Sequence, residues 1–91
     1  MFRITGSKGF HITFENGYTV SVQFGPGNYC DNYNTEISSV QAGERGSETA
    51  ECAVWAKDGK MIEHPDFGGG EVSNRSTPAQ VLSLLNWAAK Q

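Results

Sequence analysis

Residues 10–24 read FHITFENGYTVSVQF and contain the clearest secondary-structure pattern of the chain. Apolar side chains occupy every second position on both sides of the Asn16-Gly17 pair, at 10, 12 and 14 and again at 18, 20, 22 and 24. This alternation is typical of a β-strand with one buried face, and an Asn-Gly pair favours a tight turn. The stretch therefore predicts a β-hairpin.

The same pattern predicts the length of the turn. A two-residue loop would pair Phe14 with Thr19 and would place the apolar residues of the two strands on opposite faces. A three-residue loop, 15–17, pairs Phe14 with Tyr18 and brings the apolar residues of both strands to one face. We therefore expect a type I turn followed by Gly17 at positive φ as a G1 bulge.

The C-terminal segment predicts an amphipathic helix. Thr77 is a good N-cap, Pro78 suits the first helical position, and Gln80 completes a capping box. A helical wheel places Trp87 at the border of one broad apolar face, which should lie on the sheet. The residues of that face are Val81, Leu82, Leu84, Leu85, Ala88 and Ala89.

A second hairpin is expected at 49–64, with its turn at Asp58-Gly59. Apolar side chains occur on both faces of its first strand, which favours a central place in the sheet, and its register stays open. Shorter patterns predict an N-terminal strand at Phe2 and Ile4, a type II turn at 25–28, a weak strand at 35–40, an exposed loop at 41–48 and a short strand at 71–73.

These elements define the expected fold class. A chain of 91 residues is the size of one domain, so 1–91 should be a single α+β domain. Its antiparallel β-sheet of hairpins should pack against one C-terminal α-helix.

The charge pattern excludes some partners. The chain has ten acidic and seven basic residues, which gives a net charge of −3, and the basic residues are not clustered. This distribution argues against binding to a nucleic-acid duplex. No apolar stretch is long enough for a signal peptide or a membrane span, so we expect a cytoplasmic protein without a membrane partner. In that compartment Cys30 and Cys52 should be free thiols.

Motifs for catalysis and metal binding are weak. Cysteines and histidines do not stand at a metal-ligand spacing, so no metal or cofactor is expected, and His11 and His64 should be ordinary surface residues. Cys30 lies in a loop rich in Gly and Asn, where one of the histidines could activate it. Enzymatic activity therefore stays uncertain, and its absence is favoured.

Two groups of residues are candidates for ligand binding. The loop after the first hairpin combines aromatic rings with amides and a carboxylate at Asn28, Tyr29, Asp31, Asn32 and Tyr33. Such a set suits a nucleobase, a sugar or a protein backbone, although the same residue types also form turns.

The second group is Arg75, Ser76 and Thr77 at the start of the helix, where an anion could bind. Capping of the helix by the same residues is the simpler interpretation. Trp55 is added to the candidates as an aromatic that lies either under the helix or on a binding surface.

The run ENGYTVSVQFGPGNYC at 15–30 resembles small proteins of unassigned function encoded by tailed phages and prophages, as do 53–55 and 77–82. The resemblance extends over most of the chain outside 35–48. It implies an accessory protein in the host cell cytoplasm that counters host defences, by binding a defence protein or by sequestering a nucleotide signal.

Three functional hypotheses follow. The first is a non-enzymatic binding protein that sequesters a small nucleotide-like ligand at the candidate residues, across a homo-oligomer interface. The alternative is a protein–protein inhibitor or structural partner that binds a host or phage protein. It would use the same loop and the sheet face carrying Thr13, Thr19, Ser21 and Gln23. The third is a cysteine-dependent enzyme using Cys30.

Overall fold

A computed structural model of the chain describes residues 1–6, 8–25, 28–31 and 46–91. It confirms the α+β class: four antiparallel strands in the order β1-β2-β3-β4 and one C-terminal α-helix. The elements are β1 (Phe2–Thr5), β2 (Gly9–Thr13), β3 (Thr19–Gln23), β4 (Glu51–Trp55), one turn of 3₁₀-helix (Pro65–Phe67) and α1 (Pro78–Ala89).

The first hairpin has the predicted three-residue loop. Phe10 pairs with Val22 and Ile12 with Val20. Gly17 has φ 88° and donates its N–H to the Phe14 carbonyl at 2.9 Å. The register and the positive φ at Gly17 are therefore confirmed.

The second hairpin repeats this turn. Gly59 has φ 84°, and its N–H donates to the Ala56 carbonyl at 2.9 Å. The Ala56 N–H in turn donates to the backbone carbonyl of Lys60, also at 2.9 Å. The register that the sequence left open is thereby settled, with Trp55 opposite Met61 in an isolated bridge.

The expected central place of the first strand of this hairpin is wrong, because β4 is the last strand in the order. Isolated bridges from Met61, Val72 and Ser76 nevertheless lie along its outer edge. The predicted strand at 71–73 is thus reduced to one bridge, between Val72 and Ala53. The segments that follow β4 therefore cover part of its outer edge.

The core lies between the sheet and α1. Capping of the helix follows the prediction: the Thr77 hydroxyl accepts from the Gln80 N–H, and the Gln80 side chain accepts from the Thr77 N–H. Seven buried apolar residues form the centre, and Leu84 and Ala88 are those contributed by the helix: Val20, Val22, Ala50, Cys52, Val54, Leu84 and Ala88.

The predicted apolar face of the helix was too broad. Leu82 is 59% exposed and Ala89 is exposed, whereas Trp87 packs edge-on against Tyr18 and His64, with ring centroids 6.2 Å and 4.7 Å away. The helix meets a sheet that it covers only in part, so one flank of the apolar face stays open. Trp87, at the border of the predicted apolar face, is partly buried and covers the rim of the core.

Some predictions fall outside the described residues. These are the weak strand at 35–40, most of the loop at 41–48, and the two central residues of the turn at 25–28.

Within the described part of the chain, no helix combines the length and the apolar character that a membrane crossing requires. Cys30 and Cys52 are free thiols, as expected, and both are buried.

Candidate functional site

The structure brings three of the predicted site residues together. The backbone N–H of Arg75 donates to the Tyr29 carbonyl at 2.9 Å, and the Nε of its side chain donates to the Asp31 carboxylate at 3.1 Å. Arg75 has φ 53°, a left-handed conformation that a residue with a side chain rarely adopts. The segment before the helix is therefore fastened to the loop that carries Tyr29.

This group is poorly suited to an anion. The Arg75 guanidinium already contacts Asp31 and the Asn74 side chain, and the Glu51 carboxylate accepts from the Tyr29 N–H at 2.6 Å. A phosphate placed there would meet two carboxylates. The capping box already uses two N–H groups at the helix start, and Pro78 has none to offer.

Other predicted site residues have structural partners. The Asn28 side chain donates to the Phe24 carbonyl at 2.7 Å, Ser76 exchanges two backbone hydrogen bonds with Ala50, and Thr77 caps the helix. Asn32 and Tyr33 lie outside the described residues. Tyr29, 61% exposed, is the aromatic of this group that faces solvent.

Trp55 belongs to a different place. It pairs with Thr19, whereas the core residue Val54 pairs with Val20, so Trp55 lies on the sheet face opposite the helix. Glu51, which contacts the Tyr29 loop, is four residues away at the other end of β4, about 13 Å along the strand. The single site that the sequence predicted is therefore two separate surfaces.

Trp55 forms the wall of a shallow depression of about 260 Å³, which we call the Trp55 depression. The indole packs against the His11 ring, with centroids 5.4 Å apart and an angle of 47°. Of the described residues that line it, none is acidic, and Lys57 is the cation. The lining consists of His11, Gly17, Thr19, Trp55, Ala56, Lys57 and Gly59.

The two turns shape this depression. The Lys57 side chain passes so close to Gly17 that a Cβ added there would lie 2.7 Å from the Lys57 Cγ. Next to it, the hydroxyls of Thr13 and Thr19 hydrogen-bond each other at 2.9 Å. Aromatic, hydroxyl and ammonium groups thus meet at the end of the sheet where both hairpins turn.

A second concavity lies on the opposite face, between the sheet and the N-terminal half of α1. This cleft has a volume of about 350 Å³. Its apolar lining includes Phe10, Val22, Phe24, Val81, Leu82 and Leu85, and Ser47, Glu48 and Thr49 lie at its border. Sequence reasoning missed it, because the incomplete cover of the sheet by the helix creates it. The exposed Leu82 is a sign of this cleft, but it can be interpreted only when the position of the helix on the sheet is known.

The structure corrects the expected surface position of His64 and bears on the hypothesis of catalysis by Cys30. His64 is buried, not a surface residue: its Nδ1 accepts from the Asp66 N–H at 3.2 Å, and its ring packs on Trp87. Among the described residues, no group of His, Cys, Asp and Glu could hold a metal ion. Cys30 is fully buried, so a substrate has no access to its thiol in this fold.

Burial also controls the chemistry of the second thiol. Desolvation raises the pKa of Cys52 to about 11, against partial compensation by hydrogen bonds from Ser73 and Ser76. A thiol with such a pKa stays protonated at neutral pH and is a poor nucleophile. Cys52 is therefore a core residue.

Protein-family models, curated proteins and solved structures were compared with this chain, and none of them matches it. The side chains themselves must therefore indicate the function.

Proposed function

We propose that the protein is a non-enzymatic binding protein for a small nucleotide-like ligand, and that the base of this ligand stacks on Trp55. One observation carries the proposal: the Trp55–His11 ring pair stands beside Lys57 in a depression whose described lining has no carboxylate. An aromatic ring stacks on any nucleobase, with a contribution of about 1–3 kcal/mol for each base.

Each group in the depression has a specific role in this proposal. Trp55 supplies the stacking face, and the packed His11 ring holds the indole in place. The Lys57 ammonium attracts a phosphate as a flexible point charge. The Thr19 hydroxyl can turn from Thr13 towards a sugar or base edge.

The size of the depression sets a limit on the ligand. Its 260 Å³ is slightly less than the roughly 300 Å³ at which pockets for whole small molecules begin. The depression therefore takes the base and the adjoining sugar, while the phosphate extends along Lys57 towards solvent. A second copy of the chain placed over this face would enclose the remainder, in line with the homo-oligomer of the sequence hypothesis.

The biological role that we propose is sequestration. The resemblance to phage accessory proteins implies a counter-defence function in the host cell cytoplasm, where removing a nucleotide signal would suffice. Sequestration requires tight binding and no chemistry, so stacking on Trp55 and attraction by Lys57 would be sufficient for it.

A nucleotide panel tests the proposal. Mono-, di- and cyclic nucleotides are added to the protein in thermal-shift assays, and a member that binds the folded state raises the Tm. Isothermal titration calorimetry then compares Trp55→Ala, Lys57→Gln and the matched control Lys60→Gln. We expect Trp55→Ala to abolish the binding, Lys57→Gln to weaken it about fivefold, which corresponds to roughly 1 kcal/mol, and Lys60→Gln to preserve it.

Two outcomes of this experiment would contradict the proposal. One is a panel in which no nucleotide raises the Tm. The other is a ligand whose affinity is the same in the wild-type protein and in Trp55→Ala.

The second candidate function, binding of a host or phage protein, is favoured by a different surface from the predicted one. Of the predicted face, Ser21 is buried and the Gln23 side chain donates to the Thr5 hydroxyl at 2.7 Å. Exposed apolar side chains lie instead on the helix side of the sheet, at Phe2, Ile4 and Leu82.

A further inference from the structure

The outer edge of β1 carries backbone groups that are directed away from the sheet. Met1 and Thr13 exchange two backbone hydrogen bonds of 2.8 Å. Two residues further along the strand, Arg3 pairs with His11. Because hydrogen bonding alternates along an antiparallel strand, the peptide groups of Phe2 and Ile4 point outward. In the described part of the chain, no residue pairs with this edge.

The same two residues expose their side chains. Phe2 is 71% exposed and Ile4 is 82% exposed, both on the side of the sheet that faces the helix. The Phe2 ring packs edge-on against Phe10, which lines the apolar cleft, so the apolar surface continues from the cleft to the edge. Native edge strands usually carry a charge, a proline or a bulge that prevents pairing. β1 has no proline, and its one charge, on Arg3, repels another basic strand but not an acidic one.

The charge beside this edge is positive. Residues 1–14 contain Arg3 and Lys8 and no acidic residue, although the whole chain has a net charge of −3. The exposed Arg3 lies between Phe2 and Ile4 in sequence and therefore on the opposite face of the strand. An occupant of the edge would meet apolar groups on one face and a cation on the other.

A second copy of the chain fits this edge poorly. The antiparallel self-pairing that uses all the outward peptide groups sets Phe2 opposite Ile4. It also brings the two Arg3 side chains directly opposite one another. Like charges at such positions destabilise a strand pair. A strand with carboxylates at the corresponding positions avoids this repulsion.

We propose that β1 is a docking edge for an extended segment of a partner protein in which apolar residues alternate with Asp or Glu. The segment adds a fifth strand to the sheet through the outward peptide groups of Phe2 and Ile4. Its apolar side chains cover Phe2 and Ile4, and its carboxylates pair with Arg3 on the other face. Strand addition of this kind takes its affinity from the backbone and its specificity from alternate side chains.

Matched peptides test the docking edge. Two fluorescent peptides of about eight residues, the length of a long strand, alternate Val with Glu or Val with Lys. We expect the Val/Glu peptide to bind at least tenfold more tightly in fluorescence polarisation. Arg3→Glu should reverse this preference, because only the charge beside the strand changes.

Two further variants locate the binding. Ile4→Pro removes an outward N–H that β2 does not use, so it should abolish peptide binding while the circular dichroism spectrum stays unchanged. The control Ser83→Ala changes an exposed helix residue that lines neither the cleft nor the edge, and it should bind the peptide normally. Nucleotide binding at Trp55 should be the same in Ile4→Pro, because Ile4 lies on the other face of the sheet, and in the helix control. This comparison separates the test from that of the proposed function.

Several results would overturn the docking proposal. They are the absence of binding, equal affinity for the two peptides, and binding that survives Ile4→Pro. Sedimentation velocity supplies another: a wild-type dimer that Ile4→Pro converts to a monomer would mean that a second copy occupies the edge.

Discussion

The side chain of Asn16 donates a hydrogen bond to the main-chain carbonyl of Ala88, 72 positions later, at 2.8 Å. Its Nδ2 also lies 3.2 Å from the Gln91 carbonyl, while its Oδ1 accepts from the Tyr18 N–H at 2.9 Å. The last carbonyls of a helix lack partners within the helix. One asparagine therefore closes the first hairpin turn and holds the end of α1 against it.

Replacing Asn16 should destabilise the protein more than replacing its neighbour. Asn16→Ala removes the link to the helix and the acceptor for Tyr18, and we expect the free energy of unfolding to fall by about 2 kcal/mol. Glu15→Ala changes an exposed residue of the same turn and should cost less than about 0.5 kcal/mol. Urea denaturation measures both values, and equal values would contradict the role assigned to Asn16.

The two equivalent turn glycines should differ in their tolerance of a methyl group. Gly59→Ala places a side chain at φ 84° with no atom within 4 Å, and we expect a cost of about 1–2 kcal/mol from the left-handed backbone alone. Gly17→Ala adds a contact of 2.7 Å with the Lys57 side chain and should cost more.

A double-mutant cycle isolates this contact. In a Lys57→Ala background the extra cost of Gly17→Ala should shrink, because most of the crowding atoms are gone. Thermal unfolding of the four proteins gives the coupling energy. If Gly17→Ala still costs more than Gly59→Ala by the same amount without the Lys57 side chain, the difference comes from backbone strain and not from this contact.

Ser73 should be essential for the stability of β4. It is 1% exposed, its hydroxyl accepts from the Cys52 N–H at 2.7 Å, and its own N–H donates to the Cys52 carbonyl. Ser73→Ala leaves a buried N–H without a partner, at a cost of about 1–3 kcal/mol. The control Ser83→Ala lies on the exposed face of the helix and should be nearly neutral in guanidinium denaturation. Similar effects of the two substitutions would count against this hydrogen bond.

The buried Cys52 thiol should make stability depend on alkaline pH. In the unfolded chain it loses its proton near pH 9, whereas burial raises its pKa in the folded state to about 11. The unfolded state is therefore favoured as the pH rises from about 9 to about 11, and the stabilisation present below pH 9 is lost. We expect Cys52→Ala to lack this decline, which amounts to roughly 2 kcal/mol. Urea denaturation from pH 8 to 11 measures it, and parallel pH profiles for the two proteins would refute the shift.

Local sequence patterns determined the elements of this fold. The alternation around Asn16-Gly17 predicted the pairing of Phe10 with Val22, and the capping box predicted the start of α1 at Pro78. Both depend on residues a few positions apart, whose conformations are limited by chain geometry. The repeated turn at Gly59 followed the same chemistry.

The candidate site was predicted less well because it depends on distant pairings. The sequence placed Trp55 beside Tyr29 and Arg75, but Trp55 and Glu51, which contacts the Tyr29 loop, lie at opposite ends of β4. Arg75 and Asp31 did come together, as an ion pair 44 residues apart in the chain. Nothing in the local sequence indicated that the Arg75 guanidinium would be paired with Asp31.

Alternation, turn chemistry and capping act over a few neighbouring residues, so local patterns were enough to predict both hairpins, their tight turns and the capped helix. The packing of distant elements set which face of β4 meets the helix and which strand edges stay uncovered. The depression beside Trp55 and the exposed edge at Phe2 and Ile4 result from this packing. These surfaces arise where elements far apart in the chain meet or fail to cover one another. Their shape follows from packing across the whole domain, which no local pattern encodes.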